Sequence, residues 1–288
     1  MFILLFIVYT FTVLENLLIV ALIVRNPRLW KPMYIFLGNL SFLEIWYISV
    51  TLPNFLATVF SGNPEISYIG CITQLFTFTF LGATECFLLA VMAYDRYLAI
   101  CKPLHYSLTM QNSYVFCLIV FSWFIGLFTP ILPIAFLCQM DFCGSNQIDH
   151  YFCDAAPLVR LACGNIRAKT LVDFIVSLIV LTSSLSVIFV SYICIIWNII
   201  NMSSSSKGRS KAFSTCTSHL AVVCLFYGSM SFTYIRVAEG SSFSTNKVIS
   251  VFYSVITPML NPVIYTLRNE DVRIALHKAL SAKKTIGP

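Results

Sequence analysis

Apolar residues in this chain run in long, nearly unbroken blocks, whereas a soluble amphipathic helix would show an i, i+3, i+4 stripe. Blocks of roughly 20 apolar residues cross a bilayer as helices. Seven such blocks lie at about 1–24, 33–58, 71–98, 113–137, 170–201, 212–236 and 247–267. The connections are short except for about 138–169, which is rich in cysteine and carries Asp141, Asp149 and Asp154. No repeat at a fixed period is visible, so inverted-repeat transporter architecture has no support. After the last block, residues 269–281 interleave Val272, Ile274, Ala275 and Leu276 with Arg273, His277 and Lys278, the pattern of a helix lying on a leaflet. The expected fold is therefore an all-α membrane protein. A seven-transmembrane helix bundle covers 1–267, and a cytoplasmic tail with a short amphipathic helix covers 268–288.

Composition strengthens this. The chain is 58% hydrophobic and 10% charged, where soluble domains carry about 25% charged residues. The net charge of +6 is unevenly placed. With the N-terminus outside, the inner side holds thirteen basic residues: Arg25, Arg28, Lys31, Arg96, Lys102, Lys207, Arg209, Lys211, Arg268, Arg273, Lys278, Lys283 and Lys284. The outer side holds five, Arg160, Arg167, Lys169, Arg236 and Lys247. That asymmetry sets the N-terminus outside and the C-terminus in the cytoplasm. It makes the basic excess a topology signal and an attraction to the lipid bilayer, with no nucleic acid implied. The first block opens at Met1 without a basic leader and is too long for a signal peptide. Of eleven cysteines, Cys71, Cys138, Cys143, Cys153 and Cys163 fall on the outer side, where disulfides persist. Any four of them allow three pairings.

Polar groups inside the spans are functional candidates by default, because burial in lipid is costly. Here they are Glu15, Asn16, Glu44, Glu85, Asn261 and the Asp95-Arg96 pair at the inner end of the third span. Pro32 suits a first helical turn, and Pro53, Pro258 and Pro262 are kink candidates. The chain contains no His-Glu-x-x-His, no Gly-x-Ser-x-Gly and no phosphate-cradling glycine loop, so no enzyme is expected. His150 beside the outer cysteines lacks the spacing of a zinc site. A light receptor would need a lysine midway along the last span, and Lys247 sits at its outer end.

The motifs resemble the olfactory receptors, a branch of the rhodopsin-like G-protein-coupled receptors. The matching pieces are Pro32-Met33-Tyr34 through Asn39-Leu40-Ser41, Met92-Ala93-Tyr94-Asp95-Arg96-Tyr97, and Cys101-Lys102-Pro103-Leu104-His105-Tyr106. Further along come Lys211-Ala212-Phe213-Ser214-Thr215-Cys216, Ser218-His219-Leu220, Phe226-Tyr227-Gly228, Pro258-Met259-Leu260-Asn261-Pro262-Val263-Ile264-Tyr265, and Leu267-Arg268-Asn269. They run in order over nearly the whole chain. The resemblance departs in three places. Family members usually carry a polar outer tail with an Asn-x-Ser/Thr acceptor, whereas this chain starts within its first span, as a truncated product would. Glu44 stands where the family usually has Asp, and Glu15 where it has Gly. Asn39 and Asn201 begin Asn-x-Ser matches on the membrane or inner side, where no glycan is added.

The resemblance implies an odorant receptor that binds a small volatile ligand and activates a stimulatory olfactory G protein to raise cyclic AMP. Its expected place is the plasma membrane, in the cilia of olfactory neurons. The alternatives are a non-olfactory rhodopsin-like chemoreceptor or a truncated, non-functional receptor product, with an ion or proton transporter a more distant one. The resemblance also implies a Cys71–Cys153 bond and a Cys143–Cys163 bond. It marks Asp95, Arg96, Tyr97, Tyr192, Lys211, Asn261, Pro262 and Tyr265 as the switch, with Asp95 neutralising Arg96 at rest. The ligand is expected between spans three, five, six and seven under the outer loop. Phe78, Thr79, Gly82 and Ala83 would line it on one face of span three, and Val176, Ser177 and Val180 from span five. Tyr227, Met230, Ser231 and Tyr234 would line it from span six, and Val251 and Ser254 from span seven, with Gly82 and Ala83 leaving room beside Tyr227. Glu44 and Glu85 either hold a sodium ion, as in related receptors, or are protonated and hydrogen-bonded between helices.

Overall fold

The computed structural model describes residues 2–62, 65–143, 147–148, 150–201, 216–230, 250–268 and 270–282. The first three spans are α1 (Phe2–Arg25), α2 (Pro32–Ser61) and α3 (Tyr68–Cys101). A short helix, α4 (Pro103–Thr109), precedes the fourth span, which is α5 (Asn112–Phe128) continued by α6 (Ile131–Cys138). The outer connection contains α7 (Ala155–Leu161), and the fifth span is α8 (Arg167–Asn201). The described part of the sixth is α9 (Cys216–Met230). The seventh is a π-helical turn, Phe252–Ile256, leading into α10 (Thr257–Arg268), and α11 (Glu270–Ala282) follows. Among the described residues five helices are long and apolar enough to cross a membrane, with Asn112–Cys138 counted as one. Together with α9 and α10 they build the seven-helix bundle. Below, the inner end is the one carrying Asp95 and Arg96.

Local chemistry sets the helix ends. Pro32 opens α2, and Gly62 closes it in the left-handed region at φ 68°, returning its N–H to the Thr58 carbonyl. The Ser67 hydroxyl caps α3 by accepting from the Gly70 N–H at 3.1 Å. These caps carry the second and third helices up to three residues past the ends the apolar pattern marks.

The third span is central and the first peripheral. In their most apolar windows, 67% of α3 residues are buried within the protein against 17% of α1. α3 packs on α2, α5 and α8, while α1 packs on α2 and α10. Close approach of α5 to α3 depends on Gly126, where a Cβ would lie 2.0 Å from Thr84 Oγ1 and 3.0 Å from the Phe80 carbonyl.

Proline chemistry explains a contact between spans one and seven. Pro262 has no N–H, so the carbonyl one turn earlier, at Pro258, loses its helical donor. The Asn16 side-chain amide supplies it at 3.1 Å and also donates to the Thr12 carbonyl at 2.9 Å. In lipid such a carbonyl must find a donor within the protein.

Over the outer end, disulfides join Cys71 to Cys153 and Cys143 to Cys163. Beside the second bond the Cys163 N–H donates to the Asp141 carbonyl at 2.8 Å. Gln74, one turn below Cys71, donates to the Val50 carbonyl of α2 at 2.7 Å and accepts from the Cys153 N–H at 2.9 Å. The loop is thus tied to spans two and three covalently and by hydrogen bonds.

Candidate functional site

The inner end carries a junction between three spans. His219 of α9 is fully buried. Its Nε2 lies 3.0 Å from the Leu89 carbonyl of α3 and its Nδ1 2.8 Å from the Tyr192 hydroxyl of α8. A carbonyl only accepts, so Nε2 bears the proton and Nδ1 accepts from Tyr192. The ring thereby satisfies both nitrogens and clasps α3, α8 and α9 together.

Arg96 stands beside this junction. Its charge acts on Tyr192, Cys216, His219 and Tyr265, yet its Nε is buried without a hydrogen-bond partner. The expected neutralisation by Asp95 is electrostatic and not a direct ion pair: the Arg96 charge acts on Asp95 as well, but the two form no salt bridge. Adjacent helical residues point about 100° apart and do not face each other. Asp95 instead accepts from the Tyr106 hydroxyl of α4 at 2.8 Å. Tyr97 is half-buried and ring-packed on Tyr94, with Lys102 Nζ 5.9 Å from its ring centre. Tyr265 is buried, its hydroxyl unpartnered. Lys211 lies outside the described residues.

Midway across, Glu44 and Glu85 are buried at 0% and 1% exposure and act on each other electrostatically. The Asn261 amide donates to Glu44, which places this residue with the carboxylates. Glu44 Oε2, Glu85 Oε1, Asn261 Oδ1, Asn16 Oδ1 and the Tyr47 hydroxyl have no partner. Glu15 also keeps a buried oxygen without a partner, and nothing in the structure explains this carboxylate.

Toward the outer half, the residues expected on one face of span three divide between two. Phe78 and Gly82 face α2 and the loop. The Phe78 ring lies 4.8 Å from Tyr47, 4.7 Å from Phe152 and 5.8 Å from Tyr253. A Cβ at Gly82 would sit 3.6 Å from the Tyr47 hydroxyl. The room that Gly82 leaves is therefore beside Tyr47, a correction to its expected place beside Tyr227. Ala83 packs in the other cluster with Val180 and Tyr227. The reason is the helical advance of 100° per residue, which turns the 78/82 pair away from the 79/83 pair. The Tyr227 hydroxyl donates to Ser184 Oγ at 2.8 Å and lies 3.3 Å from the Cys86 carbonyl. Thr79, Val176, Ser177 and Met230 are half-buried. Val251 is 36% exposed. Ser231 and Tyr234 lie outside the described residues.

The outer loop reaches into the bundle. Phe152 is buried against Phe78, the Tyr151 hydroxyl is 2.6 Å from Ser254 Oγ, and His150 Nε2 is 2.9 Å from Ser250 Oγ. His150 Nδ1 lies 3.1 Å from the Phe152 carbonyl. Burial raises the Asp154 carboxyl above its ordinary range, while His150 and Lys169 pull it down. Lys169, 3% exposed, pairs with Asp173 one turn along α8. Sequence reasoning placed His219 in the stretch a G protein would touch, whereas it is fully buried as an interhelical clasp, and it missed Gln74, Ser184, Cys86 and the Tyr151–Phe152 insertion as working residues. Polar types within apolar spans were the available signal for Gln74 and Ser184, and the loop residues carried none.

Comparison with known proteins agrees with this architecture. The olfactory receptor family model matches residues 5–283. Human olfactory receptor 6Q1 is 53% identical over 282 residues, covering 97% of this chain and 89% of the relative. Human olfactory receptor 6P1 is 47% identical over 283 residues, covering 98% and 89%. Mouse olfactory receptor 6B9 is 45% identical over 276 residues, covering 96% and 87%. Squid rhodopsin superposes with a TM-score of 0.77 at 18% identity, covering 97% of this chain and 84% of the rhodopsin, a likeness of fold. These relatives are receptors, not enzymes.

Proposed function

The chain belongs to the olfactory receptor family, and from that membership and the geometry above we propose that it is an odorant receptor acting through a stimulatory olfactory G protein. It is a multi-pass membrane protein. The placement of its N-terminus outside, its C-terminal tail and α11 on the cytoplasmic face, and its home in the ciliary plasma membrane is part of the same reading, supported by the basic asymmetry. The observation that carries the reading is the His219 junction. Two hydrogen bonds hold three spans beside an arginine whose Nε has no partner. Opening that junction would release α9 and present Arg96 at the inner face, a bistable element of the kind that ligands bias.

The ligand fits beneath the outer loop, between spans three, five, six and seven. Ala83, Val180 and Met230 offer apolar surface, and the Tyr227–Ser184 hydroxyl pair offers one polar point. That chemistry suits a small, neutral, volatile molecule. A cyclic AMP reporter in surface-stained cells, challenged with a panel of volatile compounds, tests the reading. A dose-dependent rise with at least one compound supports it, and a ligand-independent current across the membrane instead of a cyclic AMP rise would overturn it.

Replacing His219 with leucine removes both junction bonds, each worth about 0.5–1.5 kcal/mol. Together they amount to about 1–3 kcal/mol, or roughly five- to 150-fold in an equilibrium, so ligand-independent cyclic AMP should rise at least about fivefold at equal surface staining. An unchanged basal level would show that the junction does not hold the resting state.

The mid-membrane oxygens fit a sodium ion. Glu44, Glu85 and Asn261 present buried acceptors without donors, the donor set that a hard monovalent cation takes. Bound there, the ion would supply the positive charge that two carboxylates in lipid require. Replacement of extracellular sodium by a large organic cation should then shift ligand potency in the wild type and leave Glu85→Gln unmoved. A sodium dependence kept in full by Glu85→Gln would assign the site to protonated acids.

A further inference from the structure

An open groove of about 470 Å³ runs down the inner half of the bundle's outer wall, between spans one and two, with Asn39 and Asn112 at the start of span four completing its lining. Val20 and Val24 form one side, Ile35, Gly38 and Phe42 the other, and Trp30 covers the inner end. It faces away from the core, for Val24 is 65% exposed, Trp30 60% and Phe42 43%. In a chain whose helices span a bilayer, that surface meets acyl chains. Gly38 makes the groove: a Cβ there would meet only the Ile23 side chain, at 3.4 Å, and any larger side chain would project into the space. From Ile35 to Phe42 the groove follows about 10 Å of helix, most of the ~15 Å that one leaflet of a 30 Å core provides.

The inner rim is positively charged. Arg25 directly follows Val24, and Arg28 lies two residues before Trp30; both are exposed. Neither forms a salt bridge among the described residues, whereas Lys31 pairs with Asp271 at 3.0 Å. The indole N–H of Trp30 donates to the Ile23 carbonyl at 3.0 Å, which fixes the ring over the groove mouth at the depth where tryptophans meet headgroups. An open apolar trough below two unpaired guanidinium groups matches one kind of occupant. We propose that this groove is a binding site for an acidic phospholipid, with one acyl chain along Gly38 and the phosphate at Arg25 and Arg28. Guanidinium geometry suits phosphate oxygens bidentately. The site is independent of which odorant the protein binds. It rests on the orientation proposed above only for the leaflet concerned.

The experiment uses the full chain in nanodiscs with the same lipids on both faces, so that orientation does not enter. Trp30 fluorescence, isolated by subtracting the Trp30→Phe protein, is quenched with chain-brominated phosphatidylserine or phosphatidylcholine at equal mole fraction. Two basic residues at the groove mouth attract an anionic headgroup, so phosphatidylserine should quench at least about threefold more strongly. The preference should vanish in Arg25→Gln/Arg28→Gln. It should vanish as well in Gly38→Leu, which fills the trough with the charges intact, and in Val24→Phe, which does so from an exposed position. Equal quenching by both lipids in the wild type overturns the proposal. So does a preference that survives both trough-filling variants, for that would be general surface attraction.

Discussion

Cells expressing Arg96→Ala are expected to lose the ligand-evoked cyclic AMP response, by at least about tenfold, at unchanged surface staining. The arginine carries a buried Nε without an acceptor, and its charge acts on Tyr192, His219 and Tyr265 around the inner junction. A docking partner that supplies a carbonyl or carboxylate would form a charge-assisted hydrogen bond, worth about 1.5–3 kcal/mol, or roughly ten- to 150-fold in coupling. Asp95 keeps its bond from the Tyr106 hydroxyl when the arginine is lost, and equal surface staining checks that the variant folds. Tyr106→Phe offers the complementary reading: it frees Asp95 without touching Arg96. A full response from Arg96→Ala would remove the arginine from the switch.

Cys71→Ser and Cys153→Ser should each reduce surface staining by about tenfold or more. The bond between them closes a loop with a sequence separation of 82 residues, and removal of a native disulfide costs about 2–5 kcal/mol. More than chain entropy is involved. Cys153 N–H is the donor that Gln74 needs, and Phe152 is the ring seated on Phe78. Loss of the anchor frees that whole insertion and uncovers the outer mouth of the bundle. The Cys143–Cys163 bond spans only 20 residues and is backed by the Cys163–Asp141 backbone bond, so its loss should be milder. Cys138→Ser removes a free thiol and should change nothing. Wild-type staining with an intact response in Cys71→Ser would show that the hydrogen bonds alone hold the loop.

The lipid-facing and polar patterns of the chain already contained most of the architecture. Long apolar blocks can be satisfied in a bilayer only as helices, so the number and approximate limits of the spans followed from sequence. So did the burial of Glu44, Glu85 and Asn261 and the likeness to a receptor family, because costly polar groups in lipid stand out against an apolar background. What the pattern could not supply was direction around each helix. Phe78 and Ala83 sit five residues apart in an apolar stretch with no polar stripe to orient it, and they proved to face different clusters. Asp95 and Arg96 are adjacent in sequence and therefore invite pairing, but the helix turns them apart and a tyrosine eleven residues later takes the carboxylate. Likewise, Asn16 meets the Pro258 carbonyl across 242 residues, and His219 meets Leu89 across 130. Membership of the bundle was written in composition, because lipid reads only polarity and length. Which side chains meet inside it was decided by rotation and crossing of packed helices, which no local stretch of sequence specifies.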